Sequence, residues 1–193
     1  MTESIGEAKR ALRARIRSSR DVRPAAKRIE AEDGIRTQGS ALVARTRART
    51  VACFLSAPAE PPTRALLADM ADQGIRVLLP ISGANGRLDW ALDTGEERAS
   101  HLGVPEPAGE PLGAPALEEA DLILAPAAAV DTSGQRLGWG RGYYDRALSA
   151  LRTRPPVYAV IYDLEVVDRV PHEAHDVPMT GAVTPTRTLS FDR

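Results

Sequence analysis

The chain has 193 residues, with 25 basic and 26 acidic side chains, three histidines and one cysteine. At that length one domain is the default, able to bury roughly 70% of its unfolded surface without staples. The lone Cys53 excludes an intramolecular disulfide and a Cys/His zinc set, and no apolar run approaches the ~18 residues of a membrane span. The opening MTESIGEAKRALRARIRSSR lacks the apolar core of a leader, so a soluble, intracellular, cytoplasmic protein is expected.

Along the chain, Ile5, Ala8, Leu12 and Ile16 recur at helical steps and predict a helix over residues 3–20. Pro24 suits the first turn of a second helix with a looser stripe of Ile29, Ile35, Leu42 and Val43, weakened by Gly34 and Gly39. TVACFL, from Thr50, is a short β-branched and aromatic run of the buried parallel-strand type. Thr63 is expected to cap the helix TRALLADMADQG, which Gly74 closes. IRVLLP reads as a strand stopped by Pro80, and Leu88–Leu92 as another strand after a turn.

The proline-bearing stretch from Thr94 to Leu117 is expected to be a structured surface loop. DLILAP (Asp121–Pro126) is the next strand, followed by a loop and a helix near Tyr143–Leu151. VYAVIY (Val157–Tyr162) and a piece near Ala182–Thr184 complete the sheet. This alternation predicts a single domain over residues 1–193: a three-layer α/β/α fold with a mostly parallel, Rossmann-like sheet and flanking helices. Ligands in such folds bind beyond the carboxyl ends of the strands.

The balanced total charge hides an asymmetry. Residues 1–50 carry a net of +7 and the remainder a net of −8. A basic segment of this kind suits nucleic acid, an anionic small molecule or the acidic remainder of its own chain, and charge leaves the three open.

The chemistry concentrates in PAAAVDTSGQRLGWGRGYYDRAL, residues 126–148. Gly134, Gly138, Gly140 and Gly142 fall between an apolar strand and a helix, where main-chain N–H groups can approach an anion. Arg136, Arg141 and the following helix amino end add positive charge. Asp145, in the first helical turn, is placed to hold Mg²⁺ against a triphosphate. Neither the GxxxxGK[ST] nor the GxGxxG pattern is present, because this loop reads GxGxG. The bland alternative is a glycine-rich turn with Asp145 as a plain helix cap.

RLGWGRGYYDR closely resembles the RLGxGxGYYDR signature of the 5-formyltetrahydrofolate cyclo-ligases, also called methenyltetrahydrofolate synthetases. KRALR at Lys9–Arg13, FLSAPAE at 54–60, LLP at 78–80, the P-E-P at Glu106, DLILAP and the HD of His175-Asp176 follow the family's order. The resemblance implies ATP- and Mg²⁺-dependent conversion of 5-formyltetrahydrofolate to 5,10-methenyltetrahydrofolate, with release of ADP and phosphate. It implies ATP contacts from Lys9, Arg10, Arg13, Arg136, Leu137, Gly138, Trp139, Gly140, Arg141, Gly142 and Tyr144. Folate contacts are implied for Arg13, Leu55, Glu60, Gly140, Arg141, Gly142 and Tyr143, catalytic roles for Arg136, Arg141 and Tyr143, and metal ligation for Asp145 and Asp176.

His175 reads as a structural or loop histidine, Trp90 as a pterin wall or a core residue, and Cys53 as a packed apolar residue. A monomer with no nucleic-acid or membrane partner is expected. Two alternatives stand beside this reading. One is an ATP-dependent enzyme of the same fold acting on a different folate or formamide-like substrate. The other is a nucleic-acid-binding protein using the basic amino-terminal segment, which lacks interleaved aromatics and a recognisable binding motif.

Overall fold

The computed structural model describes residues 4–83, 85–173 and 176–191. Helix α1 (Ile5–Asp21) opens with a capping box, in which the Ser4 hydroxyl accepts from the Glu7 amide and the Glu7 carboxylate accepts from the Ser4 amide. Helix α2 (Ala25–Thr46) runs unbroken through both of its glycines. The helix needs one of them: a Cβ on Gly34 would lie 2.3 Å from the Pro185 carbonyl oxygen.

The strands β1 (Thr50–Ala52), β2 (Arg76–Ser82) and β3 (Leu88–Leu92) come next, with α3 (Arg64–Asp72) between the first two. A ribbon of β4 (Glu97–Ala99) and β5 (Pro105–Pro107) follows, then a 3-10 turn over Ala114–Glu119. After β6 (Leu122–Pro126), the hairpin of β7 (Ala129–Asp131) and β8 (Arg136–Leu137) leads to α4 (Tyr143–Ser149). The remaining strands are β9 (Val157–Val160), β10 (Val166–Val167), β11 (Gly181–Val183) and β12 (Thr188–Ser190).

The central sheet has the order β12-β11-β9-β6-β1-β2-β3. Its inner pairs are parallel, while β12 and β3 run antiparallel at the two edges. One face is covered by α2 and α3 through Ile35, Leu42, Leu66 and Met70. The other is covered by α4 and the 3-10 turn, where Trp90, Leu117, Leu148 and Met179 pack together. The expected three-layer α/β fold is therefore present. The chain leaves β1 toward β2 on one side and later returns as β6 on the other, so a crevice opens between the carboxyl ends of β1 and β6.

Helix α1 lies outside this sandwich. Its Leu12 and Ile16 pack with Ala129, Leu137 and Val170 on a second, three-stranded sheet of order β10-β7-β8. The stretch between β6 and α4, expected to be a plain loop, is thus a hairpin whose strands are too short to show a period. Pro80 does not stop β2, which continues to Ser82 opposite β3. Pairing with β1 has ended at Leu78, so the missing Pro80 N–H removes no bond from that side.

Thr63 is the N-cap residue of α3, its carbonyl accepting the Leu67 amide at 2.9 Å, but its side chain does not cap the helix. Its hydroxyl donates to the Phe54 carbonyl at 2.7 Å and accepts from the Ser56 amide at 3.1 Å, bending the chain after β1 into the crevice. Cys53 is fully buried, which pushes its thiol up to about 12 and keeps it neutral. Part of the charge asymmetry is satisfied internally: Lys9 meets Asp176 and Glu173, Arg20 meets Glu165, and Arg36 meets Asp69. Among the described residues, no helix is long and apolar enough to cross a membrane.

Candidate active site

A cleft of about 170 Å³ opens at this crevice, at the carboxyl ends of the strands where ligands of such sheets bind. Its walls come from the bend after β1 (Phe54, Leu55, Glu60), the ends of β2 and β6, the β4–β5 ribbon, and the loop between β8 and α4. Three carboxylates line it, Glu60, Glu106 and, on the glycine-loop side, Asp145. Glu60 accepts the Ala57 amide at 2.9 Å, and Glu106, only 4% exposed, accepts the Ser82 amide at 2.7 Å through Oε1. Burial pushes the Glu60 carboxyl up, against the Ala57 amide and the Arg20 charge, which favour ionisation.

The glycine loop forms the other wall. Gly142 is the N-cap of α4 at φ +67°, a left-handed conformation that lets the chain turn directly from loop to helix. Arg136 is buried behind it, donating to the Pro126 carbonyl at 3.2 Å and to Asp145 at 2.7 Å. Tyr143 donates to the Gly83 carbonyl at 3.1 Å. Arg146 donates to the Gly86 and Arg141 carbonyls, tying the loop to the turn after β2. The Tyr144 hydroxyl and Arg136 Nε are buried without a hydrogen-bond partner among the described residues, and both residues line the cleft. Orphaned polar groups gathered on one cavity call for a polar ligand.

On the α1 side of the loop lies a cluster of paired charges. Lys9 donates to Asp176 at 2.6 Å and to Glu173 at 3.0 Å; burial opposes its charge, but the two carboxylates prevail and hold its pKa above the ordinary lysine value. Arg13 donates to the Gly138 carbonyl at 2.7 Å. Burial pulls Arg13 down, while the charges of Asp176 and Asp145 both pull it back up. One guanidinium therefore bears on both aspartates. The short α4, of seven residues, contributes little dipole, so these side chains carry the positive charge.

The sequence profile of the 5-formyltetrahydrofolate cyclo-ligase family matches residues 5–185. The chain belongs to this family. It is 42% identical over 147 residues to the 5-formyltetrahydrofolate cyclo-ligase of Mycolicibacterium smegmatis, covering 73% of this chain and 76% of that one. Against the Escherichia coli cyclo-ligase the identity is 34% over 151 residues, with 75% and 82% covered. The fold is shared with the NMR structure of Aquifex aeolicus 5,10-methenyltetrahydrofolate synthetase, at a TM-score of 0.80 and 23% identity over 96% of this chain and 93% of that one.

Of the positions that the family resemblance points to, Leu55, Glu60, Arg136, Gly138, Trp139, Arg141, Gly142, Tyr143, Tyr144 and Asp145 line the cleft. Lys9, Arg13 and Asp176 stand together in the adjoining charged cluster, with the Arg13 guanidinium 3.4 Å from where a Gly140 Cβ would be. Arg10 is exposed, and its charge bears on Glu7 rather than on the cleft. Leu137 is a core residue on the α1 side, and its carbonyl accepts the Ala128 amide. Trp90 is 1% exposed in the core, where it meets the Tyr144 ring edge-on at 6.5 Å. His175 lies outside the described residues.

Sequence reasoning passed over Glu106 and Arg146 as site residues. Glu106 stands in a proline-rich stretch with no period, and only the ribbon's closure against β2 carries it into the cleft. A carboxylate flanked by two prolines was the one available signal.

Proposed function

We propose that this chain converts 5-formyltetrahydrofolate to 5,10-methenyltetrahydrofolate, with ATP as co-substrate and Mg²⁺ as its metal. The observation that carries the reading is the position of the glycine loop. It stands between a mainly apolar, carboxylate-bearing cleft and a cluster of Lys9, Arg13 and Asp176, with the Arg136–Asp145 pair lining the cleft on the loop side. A folate ring suits the first compartment, because its N–H groups need acceptors such as Glu60 and Glu106. A triphosphate suits the second.

A formamide oxygen is a poor leaving group and must be activated before N10 can displace it. The formyl oxygen attacks the γ-phosphorus and ADP departs; N10 then bonds to the activated carbon, the C–O bond breaks, and phosphate and the N10 proton leave. Phosphoryl transfer of this kind asks for positioning and charge neutralisation rather than a protein nucleophile. Lys9, Arg13 and Arg136 supply the cations that take up phosphate oxygens. Trp139, Tyr143 and Tyr144 line the cleft beside the reacting carbon and exclude water from the activated intermediate.

Asp145 and Asp176 fit a magnesium site of the usual kind, with one or two carboxylates and the rest of the shell from phosphate oxygens and water. The charges of both act on Arg13, which supports a shared site. Among the described residues there is no group of three or more His, Cys, Asp or Glu suited to a metal, so a nucleotide has to complete the set. When bound, the metal neutralises charge building on the transferred phosphoryl group.

The test is the appearance of the methenyl chromophore after mixing purified protein, 5-formyltetrahydrofolate and Mg-ATP. A rise that disappears without ATP supports the reading. A flat trace from protein that still binds ATP transfers the site to a different folate or formamide-like substrate.

A further inference from the structure

We propose that Arg20 is a positioning residue for both halves of the site, acting through Trp139 on the glycine loop and through Glu165 and Tyr162 on the bend that carries Glu60. The inference rests on the cyclo-ligase reading above.

Arg20 is 2% exposed, and its guanidinium forms a two-pronged pair with Glu165, both contacts at 2.7 Å. Nη2 also donates to the Ala127 carbonyl at 2.8 Å, just past the end of β6. Nη1 meets no acceptor among the described residues. The guanidinium carbon lies 5.0 Å from the centre of the Trp139 ring and 5.6 Å from that of Tyr162, within range of cation–π attraction.

From this centre one arm runs to the nucleotide side. Trp139 sits in the glycine loop between Gly138 and Gly140, and Arg20 is the nearer of two cations over its ring, with Arg17 at 5.7 Å, so Arg20 bears on where the loop rests. The other arm runs to the folate side. Glu165 accepts the Tyr162 amide at 2.8 Å, and the Tyr162 hydroxyl donates to the Glu60 carbonyl at 3.1 Å. The Arg20 charge itself reaches the Glu60 carboxyl. A third effect comes through α1, because Lys9, Arg13 and Arg20 recur at steps of four and seven and share a helical face. Anchoring Arg20 therefore fixes the helix that presents Lys9 and Arg13.

A buried ion pair can usually be exchanged for apolar residues of similar size with little loss of stability, and that separates positioning from scaffolding. The test variant is Arg20→Met/Glu165→Met, with Arg20→Lys as the second, since lysine keeps the charge but not the planar fork. Wild-type turnover is measured first, and its absence sinks the cyclo-ligase reading rather than this inference. Given an active wild type, the expected result is a folded double variant whose KM for 5-formyltetrahydrofolate and KM for ATP rise together. Its kcat/KM should fall on the order of 10- to 100-fold, the usual cost of a small misplacement.

Independently of activity, Trp139 emission in a Trp90→Phe background should shift in both Arg20 variants, since the chain has only these two tryptophans. Wild-type KM values in either folded variant, a rise in only one of the two, or unshifted emission overturns the proposal. Failure of both variants to fold also overturns it, because the pair is then scaffold.

Discussion

Arg136 and Asp145 form an ion pair at 2.7 Å across nine residues, joining the end of β8 to the first turn of α4 around the glycine loop. In the proposed reaction these two side chains have separate partners, the arginine a phosphate oxygen and the aspartate a magnesium ion. The pair therefore keeps both groups aimed at one place and charge-balanced.

Asp145→Asn removes the metal-binding charge but preserves an acceptor for Arg136. The expected outcome is a folded protein whose Mg²⁺ requirement rises by roughly 10- to 100-fold, in line with losing one orienting group at a metal site. Initial rates across a magnesium titration check this, and an unchanged titration curve removes Asp145 from the metal site.

Glu60 is held partly against its own ionisation. Because its folded pKa is raised by burial, the stability linked to its protonated form is present below the ordinary glutamate range and lost as pH rises through the raised value. Glu60→Gln should therefore melt higher than wild type near neutral pH, and the difference should close on acidification. The same variant should bind 5-formyltetrahydrofolate more weakly. A variant with both wild-type KM and wild-type Tm at neutral pH contradicts this account.

Glu106→Gln separates the two uses of that side chain. The amide oxygen still accepts from Ser82, so the ribbon stays closed over the cleft, while the charge facing the folate is lost. The KM for 5-formyltetrahydrofolate should rise about 10- to 100-fold, the equivalent of losing a charge-assisted hydrogen bond, with the KM for ATP unchanged. Steady-state kinetics with each substrate varied in turn decides it.

Gly34→Ala sets two effects against each other. Alanine is favoured in a helix interior by about 1 kcal/mol. The new Cβ would meet the Pro185 backbone at 2.3 Å, and overpacking of that kind costs about 1–3 kcal/mol. Backbone cannot swing away like a side chain, so a net loss of up to about 2 kcal/mol is expected in a denaturant titration. A stabilised variant would show that α2 can draw back from the loop after β11.

The features readable in the chain were those carried by neighbours in sequence. The apolar strand runs, the helical steps in α1 and α3, and the clustered glycines before Tyr143 all signal through local period or local conformation. They determined the α/β class, and the motif around Arg136–Asp145 pointed to the chemistry. Strands of two or three residues such as β8 and β10 carry no period, so the small sheet and the seat of α1 upon it were not legible.

Only the tertiary structure decided which distant charges meet. Arg20 and Glu165 lie 145 residues apart, Lys9 and Asp176 lie 167 apart, and Glu106 reaches Ser82 only through the closure of a ribbon. Side-chain pairing over such separations depends on the path of the whole backbone, and composition and local pattern leave that path open. The sequence alone determined which residue types could do the chemistry; packing decided that cations and carboxylates neutralise one another beside the glycine loop, because none could be buried there unpaired.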